Sequence, residues 1–209
     1  MNGTIGVLAI LAALVLADRV RQLRAEDPAA LGPFKVRDWQ RYGSHGYRTG
    51  STSAAVVITM FSDYQCPFCK AADSTLRDLQ RGQPDVALVH RHFPLPFHPA
   101  ALPAAKLAVC AEQRQEFERV NAALFLHQDS LGKSPWKRIA MESGVADVDG
   151  LLRCADASGG AAEQFARDTA DGHRLKIIGT PVILVNGIRY NGWPGRDSIE
   201  KYVAAAKTR

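Results

Sequence analysis

The stretch Ala54-Ala55-Val56-Val57-Ile58-Thr59-Met60-Phe61-Ser62-Asp63-Tyr64-Gln65-Cys66-Pro67-Phe68-Cys69 decides how the chain is read. Ala54 to Phe61 is apolar, rich in β-branched residues and too short for a helix, so it reads as a buried strand. Ser62 to Gln65 form a turn. From Cys66 the pattern becomes helical to about Gln80, with Phe68, Ala72, Leu76 and Leu79 on one face. Pro67 suits the first helical turn, where its missing N–H costs nothing. Cys66 is therefore expected at a helix N-terminus, directly after a core strand.

Downstream, Gly82 and Pro84 mark a turn before a second strand, Val86 to Phe93. Ala104 to His127 buries Leu107, Cys110, Phe117, Val120 and Leu124 at helical spacing and reads as one helix. Ser134-Pro135 starts a short helix through Met141, Asp147 starts another carrying Leu151 and Cys154, and Ala161 to Asp171 form a third. Pro181 to Val185 and Ile188 to Tyr190 are strands joined by Asn186-Gly187, the strongest short hairpin signal. A last helix runs from Arg196 or Asp197 to about Lys207. The order is β-α-β, a helical block, then β-β-α. That order points to an α/β, thioredoxin-like fold over 54–209 with a helical insertion at about 97–172.

Upstream, residues 19–53 carry Pro28, Pro33 and several glycines with little periodicity and read as a linker. Ile5 to Leu16 is an unbroken apolar run with no polar stripe. It is short for a membrane span and about right for the core of an export signal. Residues 1–18 are thus an N-terminal hydrophobic helix read as a signal peptide or an uncleaved signal anchor. No Lys or Arg precedes the run, whereas Arg19, Arg21 and Arg24 follow it, so charge does not secure its orientation.

Hydrophobic residues make up 46% of the 209 residues, enough for a packed core. The net charge of +5 is scattered among acids and forms no basic stripe with interleaved aromatics, which argues against nucleic-acid binding. The four cysteines form one close pair, Cys66 and Cys69, and two single residues, Cys110 and Cys154. This suits a working pair plus a structural bridge better than a four-ligand metal site.

A thiol is a good nucleophile only as thiolate, and the free N–H groups and dipole of a helix N-terminus stabilise that anion. A second thiol one turn along can displace whatever the first captures. Cys66 is accordingly the attacking sulfur and Cys69 the resolving one. The alternatives, a plain stabilising disulfide or half a zinc site, fit less well with a position between a buried strand and a helix.

Phe61 to Lys70, Phe93-Pro94-Leu95, His98-Pro99 and Gly179-Thr180-Pro181 appear in the order and spacing of the DsbA-like family of bacterial thiol–disulfide oxidoreductases, which the chain after the linker resembles. The resemblance implies a thioredoxin fold with inserted helices and a place in the bacterial periplasm or cell envelope. It also implies a cis Pro181 beside the cysteine pair, with the backbone near Thr180 docking an extended substrate segment. Pro67, Phe68, Thr180 and Pro181 are the expected substrate contacts. From spacing alone, Thr180-Pro181 would be an ordinary strand start.

Two departures matter. Many thioredoxin-fold enzymes carry a buried acid six residues before the first cysteine, where this chain has Met60, a core residue. Asp63, if turned inward, or a water chain would then move the resolving thiol's proton, or that step is slower; a turn or cap role is the commoner one for Asp63. Pro67-Phe68 also lacks the His found between the cysteines of strongly oxidising members, which implies a moderate potential.

Cys110 and Cys154 lie on apolar helical faces; in an exported protein a structural disulfide between them is preferred over two buried thiols. His90 and His92 share one face of a strand and, with His98 and the cysteine pair, are candidate zinc or copper ligands, but packing or surface roles are commoner. Trp136 and Trp193 read as core or groove lining.

The expected function is disulfide formation in exported polypeptides that carry cysteines. A membrane redox partner would reset the pair, one copy would suffice, and no cofactor or metal is needed. A periplasmic thiol reductase and, from another class, a metal-binding chaperone using Cys66 and Cys69 are the alternatives. An isomerase would need a dimerisation domain, for which the stretch before Ala54 is too short and irregular.

Overall fold

The computed structural model describes residues 10–19, 33–157 and 160–208. Strand β3 (Val56–Ser62) is buried along nearly its whole length. Its alternating side chains feed two cores, which is why the run reads as continuously apolar. Val56, Ile58 and Met60 pack against Ala72, Leu76 and Leu79 of α3 (Pro67–Gly82) and Ile199 and Val203 of α9 (Arg196–Lys207). Phe61 lies in the opposite core with Tyr42, Phe93, Leu175 and Ile177.

Among the described residues the strands are β1 (Phe34–Lys35), β2 (Tyr47–Thr49), β3, β4 (Val86–His92), β5 (Val182–Val185) and β6 (Ile188–Asn191). They form one sheet in the order β1-β6-β5-β3-β4-β2. β3 and β4 are parallel, joined through α3, while β5 and β6 form an antiparallel hairpin beside β3. The hairpin turns at Asn186 and Gly187, with φ of 43° and 83°, as the Asn-Gly signal requires. The Asn186 side chain also accepts from Val57 N–H at 2.8 Å and donates to Ala55 O at 3.0 Å, pinning the turn to β3.

Between β4 and β5 lie α4 (Ala101–Gln113), α5 (Phe117–Leu126), α6 (Trp136–Glu142), α7 (Val148–Asp156) and α8 (Gly160–Arg174). Their shared core contains Leu107, Val120, Leu124, Ile139 and Leu151, and it also takes in Tyr64, Cys66 and Cys69. The cysteine pair thus sits at the seam between sheet and insertion. At that seam's far side Arg91, 0% exposed, donates from Nε to Asp168 at 2.5 Å, from Nη2 to Asp171 at 2.9 Å and from Nη1 to Tyr42 O at 2.7 Å. The same Asp168 carboxylate accepts His92 N–H at 2.8 Å, so α8 is tied to β4.

The structure differs from the sequence reading by a residue or two at several element ends, Ser62 closing β3 and β4 stopping at His92 among them, and more substantially before β3 and in the insertion. The linker expected over 19–53 stops short, because β1 and β2 are edge strands paired with β6 and β4, with the short helix α2 (Gln40–Gly43) between them. They hold two and three residues, too few for an alternation to register. The single helix expected over Ala104 to His127 is broken at Arg114–Glu116. Gln115 takes φ 60°, its N–H reaches Glu112 O, and Glu116 N–H reaches Ala111 O, a Schellman stop without glycine. Phe117 then restarts the apolar face in the insertion core, which hides the break from a periodicity count. Finally, the strand expected to begin at Pro181 begins at Val182.

Residues 10–19 form the helix α1, on which Ile10, Leu11, Leu14, Val15 and Leu16 are exposed. Among the described residues no helix is long and apolar enough to cross a membrane. The start of the apolar run, Ile5 to Ala9, and the linker from Val20 to Gly32 lie outside the described residues.

Candidate functional site: the Cys66–Cys69 pair

Cys66 is the N-cap of α3 and Pro67 its first residue. Extended backbone at Cys66 ends the turn from β3, and the N–H groups of Cys69 and Lys70 close the first helical turn on Cys66 O. The Cys66 thiol donates to Thr180 O at 3.2 Å across a sequence separation of 114. That contact sets the loop leading into β5 against the pair, and the Thr180–Pro181 peptide in it is cis. Cys69 is 0% exposed, and Asp63 N–H points at its sulfur at 3.4 Å.

The two thiols are held in opposite states. A hydrogen bond from the Cys69 thiol lowers the Cys66 pKa to about 6; burial opposes the shift, while the Thr180 hydroxyl and the N–H groups of Cys69 and Phe68 add to it. That hydroxyl is buried and, among the described residues, has no partner of ordinary hydrogen-bond geometry. Burial first, and then the neighbouring Cys66 sulfur, push the Cys69 thiol well above its ordinary value. The arrangement supplies one thiolate at neutral pH beside one protonated thiol.

Around the sulfurs, Pro67 is exposed, and three large apolar side chains stand out from the segments that meet there. Phe68 follows the first cysteine, Ile178 precedes Thr180, and Phe97 lies on the segment after β4; they are 61%, 62% and 67% exposed. The active turn is braced from behind. Asp63 accepts from Gln65 N–H at 2.7 Å, from Leu95 N–H at 2.7 Å and meets His98 Nδ1 at 2.8 Å. Gln65 Oε1 accepts Ala100 N–H at 2.6 Å, and Gln128 Nε2 donates to Tyr64 O and Cys66 O at 2.7 and 3.0 Å.

The Asp63 carboxylate thus takes the turn-capping role, turned toward Leu95 N–H and His98, while its main-chain N–H is the group that faces Cys69 Sγ. Met60 is buried in the core beneath α3. Gln128 had no signal in the sequence, since nothing local distinguishes it from a surface residue. Cys110 of α4 and Cys154 of α7 are joined, while Cys66 and Cys69 are free. His90 and His92 are buried against Tyr64 and Phe117; among the described residues their ring nitrogens have no hydrogen-bond partner, with Asp73 Oδ1 standing 3.7 Å from His90 Nδ1. Among the described residues no group of three or more His, Cys, Asp or Glu is arranged to hold a metal. Trp136 packs on the insertion core and lines a groove with Leu102, Pro103 and Leu152, whereas Trp193 packs on the α3 and α9 side of the sheet.

The thioredoxin family model, Thioredoxin_4, matches residues 44–205, a span that holds the cysteine pair, the insertion and the cis-proline loop. The chain belongs to the thioredoxin family. A thioredoxin-like oxidoreductase from Silicibacter pomeroyi DSS-3 superposes with a TM-score of 0.69 at 25% identity, over 83% of this chain and 99% of that one. DsbA2 from Pseudomonas aeruginosa shares the fold, with a TM-score of 0.65 at 23% identity over 76% of this chain and 92% of its own. A periplasmic thioredoxin-like protein from Salmonella enterica serovar Typhimurium does too, at 0.67 and 20% over 84% of this chain and 100% of its own. In sequence, 147 residues are 31% identical to the Na(+)/H(+) antiporter NhaA 1 of Mycolicibacterium vanbaalenii, over 68% of this chain and 24% of the antiporter. The chain spans about a quarter of the length of the curated relatives it matches.

Proposed function

We propose that the chain makes disulfides in exported, cysteine-containing polypeptides, with Cys66 as the sulfur that touches substrate and Cys69 as its resolving partner. The observation that carries this reading is the division of the pair into a thiolate near pKa 6 at a helix start and a buried, protonated neighbour. In the oxidised enzyme a substrate thiolate attacks Cys66 Sγ. The Cys66–Cys69 bond breaks, and its electron pair and a proton end on Cys69. A second substrate thiolate then attacks the substrate sulfur of the mixed disulfide and expels Cys66 as thiolate. A low pKa makes Cys66 the better leaving group and favours passing the disulfide outward.

Phe68, Ile178 and Phe97 offer an apolar rim for an unfolded segment, and the backbone at Thr180 offers strand-like pairing beside the sulfur. A bacterial envelope location is supported by the Cys110–Cys154 bridge, which belongs to oxidising compartments, and by the apolar helix α1, which suits a signal or an inner-membrane anchor. A membrane-bound redox partner resets the pair there, and the chain works as a monomer.

The test is oxidation of a reduced two-cysteine peptide and, separately, reduction of insulin, by wild type and Cys66→Ser. Peptide oxidation abolished by the substitution, and faster than insulin reduction in the wild type, is the expected result. Equal activity of the two proteins would remove the redox role, and insulin reduction outpacing peptide oxidation would make the chain a reductase.

A further inference from the structure

Asp63 occupies a position the exchange chemistry above does not use. Its carboxylate is engaged by Gln65 N–H, Leu95 N–H and His98 Nδ1 at 2.7, 2.7 and 2.8 Å. What it presents to the buried pair is its main-chain N–H, 3.4 Å from Cys69 Sγ. In either direction of exchange Cys69 carries negative charge at some point, as leaving group or as nucleophile. With that sulfur 0% exposed, water does not reach it to stabilise the charge, and a fixed donor counts most in such a site.

We infer that His98, acting through the Asp63 carboxylate, is a positioning residue that holds the Asp63 N–H on the resolving sulfur. The inference rests on the exchange reaction proposed above. Two of the three donors on the carboxylate are main-chain groups that no side-chain substitution removes; His98 is the side-chain donor of the set. Its ring is 22% exposed and lies edge-on to Phe97 with centroids 4.7 Å apart, so it can be changed without opening a core. A carboxylate acceptor requires Nδ1 to carry the proton. Asn at position 98 can place its amide N–H near the same spot, whereas Leu keeps bulk and removes the donor.

The consequence is a split between the two chemical steps. Reduced enzyme meeting glutathione disulfide first forms the Cys66–glutathione bond: Cys66 thiolate attacks one glutathione sulfur, and the other leaves and takes up a proton. Cys69 then attacks Cys66 Sγ, the Cys66–Cys69 bond forms, and the bound glutathione leaves with the electron pair and takes the proton Cys69 gives up. The cysteine pair is oxidised and one glutathione disulfide becomes two glutathiones. The first step does not involve Asp63; the second builds charge on Cys69.

The full chain is reduced, mixed with excess glutathione disulfide, quenched with acid and resolved by mass into reduced, mixed-disulfide and oxidised forms. In His98→Leu the mixed disulfide should decay roughly tenfold more slowly than in wild type, part of the hundred- to thousandfold lost when an anion-stabilising donor is itself removed. Its formation should stay within about twofold of wild type, and His98→Asn should restore most of the decay rate. Should His98→Leu not fold, His98→Gln, whose donor sits one methylene farther out, takes its place with the same expected slowing. Decay in the donor-lacking or displaced variant as fast as wild type would overturn the inference, as would His98→Asn being as slow as either. Failure of wild type to form any mixed disulfide, even with Cys69→Ala trapping it, would instead remove the exchange reaction on which the inference rests.

Discussion

Reducing the cysteine pair should make the protein's stability depend on pH in a way the oxidised protein does not share. In the folded, reduced chain Cys66 titrates near 6, against an ordinary value of 9.0. A depressed acid contributes stability above its unfolded value and loses it as pH falls through its folded value. At pH 8 the thiolate would contribute about 2.7 kcal/mol at 1.36 kcal/mol per pKa unit, and at pH 5 almost nothing. With Cys66 only 5% exposed, solvent screens the thiolate little, and the difference stays at about 2–2.7 kcal/mol. Cys69, pushed upward, is neutral in both folded and unfolded chains over this range and adds nothing. Urea unfolding of both redox forms at pH 5, 6, 7 and 8 isolates the effect, because every other titrating group is common to both. The reduced form should gain on the oxidised form by roughly 1 M in midpoint between pH 5 and pH 8, for an m-value of about 2 kcal/mol/M. A redox difference that stays flat with pH would refute the assignment of the thiolate to Cys66.

Asp168→Ala leaves the buried Arg91 guanidinium short of a partner and should destabilise by about 3–5 kcal/mol in thermal melts, whereas Arg91→Met with Asp168→Leu should recover much of that loss. Replacing Cys110 and Cys154 together by Ala opens a loop with a sequence separation of 44. Oxidised-state unfolding should then fall by about 4 kcal/mol on the chain-entropy account, with no free thiol at these positions in the parent protein by mass mapping. Gln128→Leu leaves the Tyr64 and Cys66 carbonyls without their side-chain donor and should cost about 1–3 kcal/mol while loosening the active turn, read as faster amide exchange at Gln65 and Cys66.

The parts of the fold legible in the sequence are those whose determinants sit within one turn or one strand of each other. The strand before Cys66, the proline opening α3 and the Asn-Gly hairpin each announce themselves through local backbone preference. Edge strands β1 and β2 do not, since two or three residues paired to a distant strand carry no period of their own. The break at Gln115 is hidden for the opposite reason, because the apolar face continues across it. At the site, the cysteine pair is readable from its own spacing and the cis-proline loop only through the family resemblance, whereas spacing alone makes Thr180-Pro181 a plain strand start; the bracing is not readable. Asp63 and His98 meet across 35 residues, Gln128 reaches Cys66 across 62, and Arg91 finds Asp168 across 77. A single chain of letters holds no signal for such meetings when the partners are ordinary polar residues. His90 and His92 illustrate the remaining difficulty: their shared face is legible, but whether that face is wet or buried depends on where α5 lands.

The most direct test of the account is the rate at which iodoacetamide alkylates Cys66 in the reduced protein between pH 4 and pH 10, with the modified sulfur identified by peptide mass. Half-maximal reactivity near pH 6, with Cys69 unmodified over the same range, is the predicted result. A midpoint near the ordinary thiol value of 9.0 would contradict it.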